Sequence, residues 1–349
     1  MKFLHLLMLL ALSLSLFSLS CKQDKKSFDD VNSEDGQEED KGKEEGDDDD
    51  DDDGDKNEKD KKTKKTKSTD KDEIGLDEAD QKRDDDDDDV DKTASGPSPK
   101  LPKAKSKCPT LKTGNVEILG HKVQLWVGEK SSKKAPILFY WHGTGSFPGE
   151  AQFMSGSVVK DVVSKGGMVA SFVARDSTKK GRSTGNNVWY TGDFELADEL
   201  LACANEQLNI DARRIYSGGC SAGGLQASAM VYERSQYLAG AMPNSGGTIF
   251  KYNMKSDGYV PALATTHGGK GDVVVINFGT TSMNQAKDIA GRGGNVINCN
   301  HGGGHCQPPG NVVAAQWDFL QKHPYGTKTS PYKKGLPSKY PDACKSIKK

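Results

Sequence analysis

The run "RIYSGGCSAGGLQ", residues 214–226, leaves the chain few ways to fold. Strand-forming residues lead into a cluster of small ones and a helical stretch follows, so a strand must bend sharply into a helix with Ser221 at the bend. Gly219-Cys220-Ser221-Ala222-Gly223 fits the pattern G-x-S-x-G. Such a turn forces unusual backbone angles on the serine, and its small neighbours let other segments approach closely. Ser221 then projects at a helix N-terminus, where free N–H groups and the macrodipole favour developing negative charge. The competing reading is a glycine turn with a purely structural role.

The surrounding chain has room for the fold this implies. From Cys108 to Lys349 there are 242 residues, ample for one large core. "NVEIL" and "KVQLWV" read as a hairpin, and "PILFYW" is a continuous apolar run of the kind buried on both faces of a sheet. A helix near 150–165, the strand "MVASFV", a long polar loop and the helix "DFELADELLACANEQL" follow. Beyond the Ser221 turn and its helix come the strands "LAGAMP", "PALATT" and "NVINCN", a helix around 282–291 and a last helix, "NVVAAQWDFLQKH". Strands alternating with helices predict an α/β fold with a mainly parallel sheet covered on both faces.

A serine hydroxyl is a poor nucleophile without a base, and the base needs an acid to orient it. "PALATTHGGKGD" supplies Asp272 just past a strand, with Asp257 and Asp288 as fallback acids. "NCNHGGGHCQPPG" supplies His301 and His305 after the next strand. The three glycines between them let the loop fold tightly, so His305 is assigned as the base and His301 as a supporting hydrogen-bonding residue. The order Ser221, Asp272, His305 is that of α/β-hydrolases. A metal pair is rejected, because the helical H-E-x-x-H arrangement is missing. No cofactor is expected. Oxyanion donors are expected from the N–H of Ala222 and from Gly143 or Thr144 in "WHGTGS". Trp189 and Tyr190, with Trp141 beside the oxyanion loop, are the expected aromatic substrate wall.

In combination, "WHGTG", "GGCSAGG", "THGGKGD" and "GGGHC" resemble the exported α/β-hydrolases grouped as polyhydroxybutyrate depolymerases and feruloyl or acetylxylan esterases. The likeness covers essentially all of 110–325. Cys220-Ser221 and His305-Cys306 further resemble the tannase and fungal feruloyl esterase group, and that resemblance implies a Cys220–Cys306 disulfide. The large lid of that group has no counterpart here, and "HGGKGD" has three residues between HG and the acid where the depolymerase-like pattern has two. A local Cys299–Cys306 bridge is the rival pairing. Cys108, Cys203, Cys299 and Cys344 are otherwise left unassigned, since six cysteines allow fifteen pairings.

The first 107 residues are a different kind of polymer. "MKFLHLLMLLALSLSLFSLSC" is expected to be an export signal over 1–20. It resembles a bacterial lipoprotein signal with Cys21 as the lipidated residue, although Ser18 stands where leucine is usual; a simply secreted chain is the alternative. Residues 21–107, with "DDDDDDD" and "DDDDDD" among scattered lysines, hold too little apolar surface to offset the entropy of ordering and are expected to form a disordered tether. The charge divides the same way. From Cys108 onward 27 Lys and Arg stand against 17 Asp and Glu, while the whole chain carries −2. The basic residues are scattered, which argues against nucleic acid as a partner. Homopolymeric aspartate lacks the set ligand positions of a calcium loop.

The expectation is a tethered, exported serine esterase with a 108–349 catalytic domain acting on polymeric or small esters outside the cell. Feruloyl or acetyl groups on polysaccharide and polyhydroxyalkanoate are the substrate classes the resemblance implies. A serine peptidase and a non-catalytic surface binding protein on the same fold are the alternatives.

Overall fold

The structure, a computed structural model, describes residues 96–349 apart from Asp257. The expected signal peptide, Cys21 and most of the expected tether therefore lie outside the described residues.

Nine strands form one sheet in the order β1-β2-β4-β3-β7-β8-β9-β10-β11. These are β1 (Gly114–Ile118), β2 (His121–Val127), β3 (Ala135–Trp141), β4 (Met168–Phe172), β7 (Ile210–Cys220), β8 (Gly240–Asn244), β9 (Ala262–His267), β10 (Val296–Asn300) and β11 (Cys344–Ile347). From β4 through β10 neighbours pair in parallel; β1–β2, β2–β4 and β10–β11 are antiparallel. A small separate hairpin, β5 (Ser183–Gly185) with β6 (Trp189–Tyr190), interrupts the polar loop.

The run "PILFYW" shows why the sheet sits between two helical layers. Ile137, Phe139 and Trp141 of β3 pack into one apolar cluster, with residues of α2 (Phe194–Gln207), α3 (Ala222–Glu233) and α4 (Phe278–Gly291). Leu138 and Tyr140 alternate into the other, with α1 (Glu150–Ser164) and α5 (Gly310–Gln321). Period-two alternation on a strand apolar on both sides fills both layers at once. The expected mainly parallel α/β sheet is thus observed. Between β7 and α5 the connections run directly from strand to helix or strand, with no inserted helical domain among the described residues.

Two features depart from the sequence reading. Strand β11 was not anticipated; it pairs along β10 with Cys299 opposite Cys344, and these two are bonded. The rival Cys299–Cys306 bridge is thereby excluded, because Cys299 is held in register with a different partner. The other disulfides are Cys108–Cys203 and Cys220–Cys306. Three such bonds mark a protein that matures in an oxidising compartment, outside the cytosol. No helix among the described residues is long and apolar enough to cross a membrane.

The second departure is the boundary. Residues 96–107, assigned by composition to the tether, are bonded to the domain. The N–H of Gly96 donates to Gly326 O, that of Lys100 to Gln236 O, and those of Lys105 and Ser106 to the buried Glu199 carboxylate. Apolar content alone missed this, since main-chain groups make most of the attachments.

Candidate active site

The elbow forms as its small residues require. Ser221, between β7 and α3, has φ 56° and ψ −121°, a conformation L-residues avoid unless their surroundings enforce it. A Cβ on Gly223 would lie 1.8 Å from Trp141 O, and one on Gly219 2.3 Å from the same atom. Glycine is needed because the end of β3 passes directly beside the turn. The Ser221 N–H donates to Asn244 O at 3.1 Å, and Ser221 O accepts from Leu225 N–H at 2.9 Å. Ala222 opens α3, so its N–H has no intrahelical acceptor.

The acid follows β9 in a tight turn. Asp272 is fully buried and accepts three hydrogen bonds: His305 Nδ1–H at 2.7 Å, Ser245 Oγ–H at 2.8 Å and Gly268 N–H at 2.9 Å. Burial alone would raise the carboxyl's pKa, but these donors and the nearby imidazole outweigh it and hold the pKa below the usual range. The His267 ring shapes the turn, with Nδ1 accepting from Gly269 N–H and Nε2 donating to Asn298 Oδ1.

The base lies in the loop after β10. With Nδ1–H given to Asp272, His305 keeps Nε2 as an acceptor, and the Phe278 ring packs on the imidazole with centroids 4.6 Å apart. The Cys220–Cys306 bond, with Cα atoms 5.9 Å apart, fastens the residue before Ser221 to the residue after His305. Ser245 reinforces the loop by accepting the Cys306 N–H at 2.9 Å. The structure therefore brings Asp272 and His305 into contact and ties the His305 loop to the elbow that carries Ser221. His301 makes no hydrogen bond to Asp272 or His305; its Nδ1 accepts the Gly303 N–H within the glycine loop. Asp288, a fallback acid, is engaged elsewhere by Tyr232 and Arg292. Asp257, the other, lies outside the described residues.

The oxyanion loop differs from expectation. The Gly143 N–H is not free: it donates to both oxygens of the Glu150 carboxylate at 3.1 and 3.0 Å. Thr144 is exposed, and its N–H meets no acceptor among the described residues. Its Oγ1 accepts from Asn186 Nδ2 at 3.0 Å. His142 braces the loop from below, with Nε2 accepting the Ala174 N–H and Nδ1–H donating to Gly143 O. Burial lowers its pKa, in keeping with a neutral ring that donates on one side and accepts on the other.

The expected aromatic wall is also corrected. Trp141 and Trp189 are fully buried, and Trp141 stacks on Phe172 with its edge toward Trp189. They are core residues: Trp141 ends a strand covered on both faces, and Trp189, on the small β5–β6 hairpin, packs its ring against Trp141. Trp189 still serves the site, because its Nε1–H holds His142 O at 2.9 Å. Tyr190 is half-buried. Of the exposed large apolar side chains among the described residues, Leu119 lies in the β1–β2 turn and six lie farther along the chain: Phe147 and Phe153 after β3, Ile249 and Phe250 after β8, and Val273 and Val275 after β9. All six follow the C-terminal ends of strands, the edge of the sheet that also carries Ser221, Asp272 and His305.

Sheet order, elbow and acid and base loops together define an α/β-hydrolase fold. No protein-family model matches the chain, and no curated protein does. Among solved structures the chain is similar to native pOPH, with a TM-score of 0.56 at 18% identity over 70% of this chain and 97% of that one. Native sOPH gives a TM-score of 0.55 at 18% identity, again over 70% and 97%. A pOPH variant in complex with pNPB gives 0.54 at 17% identity, over 70% and 96%. These likenesses are of fold.

Proposed function

We propose that the protein is an exported serine esterase. Ser221 attacks the ester carbonyl, His305 takes its proton and passes it to the leaving alcohol, and Asp272 orients the imidazole and stabilises its charged form. Water then cleaves the acyl-enzyme by the same base. The observation that carries the reading is the Asp272–His305 pair at 2.7 Å, with the His305 loop bonded through Cys306 to the residue before a serine with positive φ. A structural glycine turn has no use for a buried acid–imidazole pair fastened beside it.

The apolar side chains on the same edge favour hydrophobic ester polymers, of the polyhydroxyalkanoate kind, over acylated polysaccharide. Export agrees with the three disulfides, and anchoring through a lipidated Cys21 would hold the catalyst at a membrane surface. The test is hydrolysis of pNPB, methyl ferulate and a polyhydroxyalkanoate film by the protein beside Ser221→Ala. Turnover should fall by about 10⁶-fold in the variant, as when a catalytic serine is removed. Serine-dependent cleavage of the film is expected; cleavage of the ferulate without the film would redirect the substrate assignment. A folded protein that cleaves none of the three would leave a binding role.

A further inference from the structure

Glu150 is a buried carboxylate at this edge that the proposed triad does not use. It is the first residue of α1 and only 9% exposed. It accepts from Tyr140 Oη–H at 3.0 Å and from the Gly143 N–H with both oxygens, and the Ser146 hydroxyl also bonds to it. Its neighbourhood is that of the nucleophile. A methyl group built on Gly143 would lie 3.4 Å from Glu150 Oε2, 3.4 Å from Cys220 O and 3.5 Å from Ser221 Cβ. Glu150 and Ser221 thus flank the same glycine.

Burying a carboxylate is costly, and α1 does not need it as a cap. What the carboxylate does is orient a peptide. Ser146 N–H donates to Gly143 O at 3.1 Å, closing a turn over residues 143–146, and Gly145 has φ 72°. That matches a type II turn, whose third residue requires positive φ. In such a turn the second residue's N–H makes no internal bond, and here that residue is Thr144. If Gly143 N–H swung away from α1, the turn would lose its fixed direction.

We propose that Glu150 is the positioning residue of the oxyanion site: by taking the Gly143 N–H it sets the turn so that the Thr144 N–H, with that of Ala222, forms the donor pair. The role is that of an acceptor, not of a charge. Burial raises the carboxyl's pKa, while Ser146, Gly143, Tyr140 and the more distant His305 lower it. A negative charge beside a developing oxyanion is unfavourable, so the three donors on the carboxylate also serve to spread it.

The inference rests on the serine-esterase reading, and the experiment separates the two. The full chain is compared with Glu150→Ala, Glu150→Gln and Glu150→Asp for kcat and KM on pNPB, for thermal midpoint, and for affinity toward phenylboronic acid, which forms a tetrahedral adduct with a reactive serine. Glu150→Ala should lose about 100-fold in kcat, the scale of one oxyanion donor, with KM changed less than about threefold. Boronate affinity should fall in step with kcat, because only the tetrahedral species uses the donor pair. Glu150→Gln, which keeps an acceptor oxygen, should stay within about fivefold of the parent. A folded Glu150→Ala with near-parent kcat overturns the proposal, and so does an equal loss in the Ala and Gln variants. If the Ala variant does not fold, Glu150→Asp decides: its carboxylate is drawn back from Gly143, so kcat should fall at least tenfold with the thermal midpoint kept, and unchanged kcat overturns the idea. Turnover that survives Ser221→Ala would instead sink the esterase reading.

Discussion

The Ser221 elbow and the His305 loop are both glycine-rich, yet they are held in opposite ways. At the elbow glycine is a matter of space: Gly219 and Gly223 lie so close to Trp141 O that no side chain fits. In the His305 loop it is a matter of conformation: Gly302 and Gly304 have φ of 68° and 92°, and a Cβ on either would meet nothing within 4 Å. The nucleophile is therefore fixed by main-chain packing. The base is fixed by removable bonds, namely a disulfide, the Ser245 hydroxyl and the Asp272 carboxylate.

That contrast can be broken most forcefully at Gly223. Gly223→Ala should lower unfolding free energy by about 4 kcal/mol or more, the range of severe overpacking, with little soluble protein recovered. Denaturant titration measures it; a variant as stable as the parent would mean the elbow is not closely packed. Next in size are the disulfides. Cys220–Cys306 spans 86 positions and Cys108–Cys203 spans 95, so the chain-entropy model gives each about 4 to 5 kcal/mol. Stability should fall similarly in the Cys220→Ser/Cys306→Ser and Cys108→Ser/Cys203→Ser proteins. Only the first should lose turnover, by about tenfold or more, because it frees the base loop. Equal losses of turnover would erase the distinction.

Ser245→Ala should cost about 1–3 kcal/mol, since it orphans the Cys306 N–H and removes one donor from Asp272. The sign of its pH effect follows from the lowered Asp272 pKa. The ionised carboxylate's contribution is complete above its unfolded pKa and is lost as pH falls through the folded value, below about pH 4. With one donor gone the folded pKa rises, so the contribution is smaller and its loss, which still begins at the unfolded value, is complete at a higher pH; acid unfolding of parent and variant would reveal it. The smallest effect belongs to Gly302→Ala: about 1–2 kcal/mol for left-handed backbone, with kcat nearly unchanged. A large loss of activity there would place the loop's control in its glycines and not in its bonds.

The candidate triad was legible because each member follows a strand and is flanked by turn residues, a pattern local enough for sequence to show. The burial of Trp141 is legible, since it ends a run apolar at every position, which leaves no face for a ligand; that of Trp189 depends on the β5–β6 hairpin folding its ring against Trp141, which no local pattern shows. Glu150 was invisible because its role depends on the start of α1 lying beneath the β3 turn; alone, a glutamate opening a helix reads as a favourable dipole contact. Strand β11 is only four residues long, CKSI, with no alternating apolar pattern, and only its pairing with β10 makes it a strand.

The attachment of residues 96–107 has a mechanical consequence. Load applied to the chain from its amino-terminal side meets the Gly96, Lys100 and Glu199 hydrogen bonds in turn, then reaches the bond from Cys108 to Cys203 on α2. Force is handed to a helix through a covalent link before it can peel β1 from β2, and the strand edge next to the entering chain is relieved of tension that would otherwise unzip the sheet from its first residue.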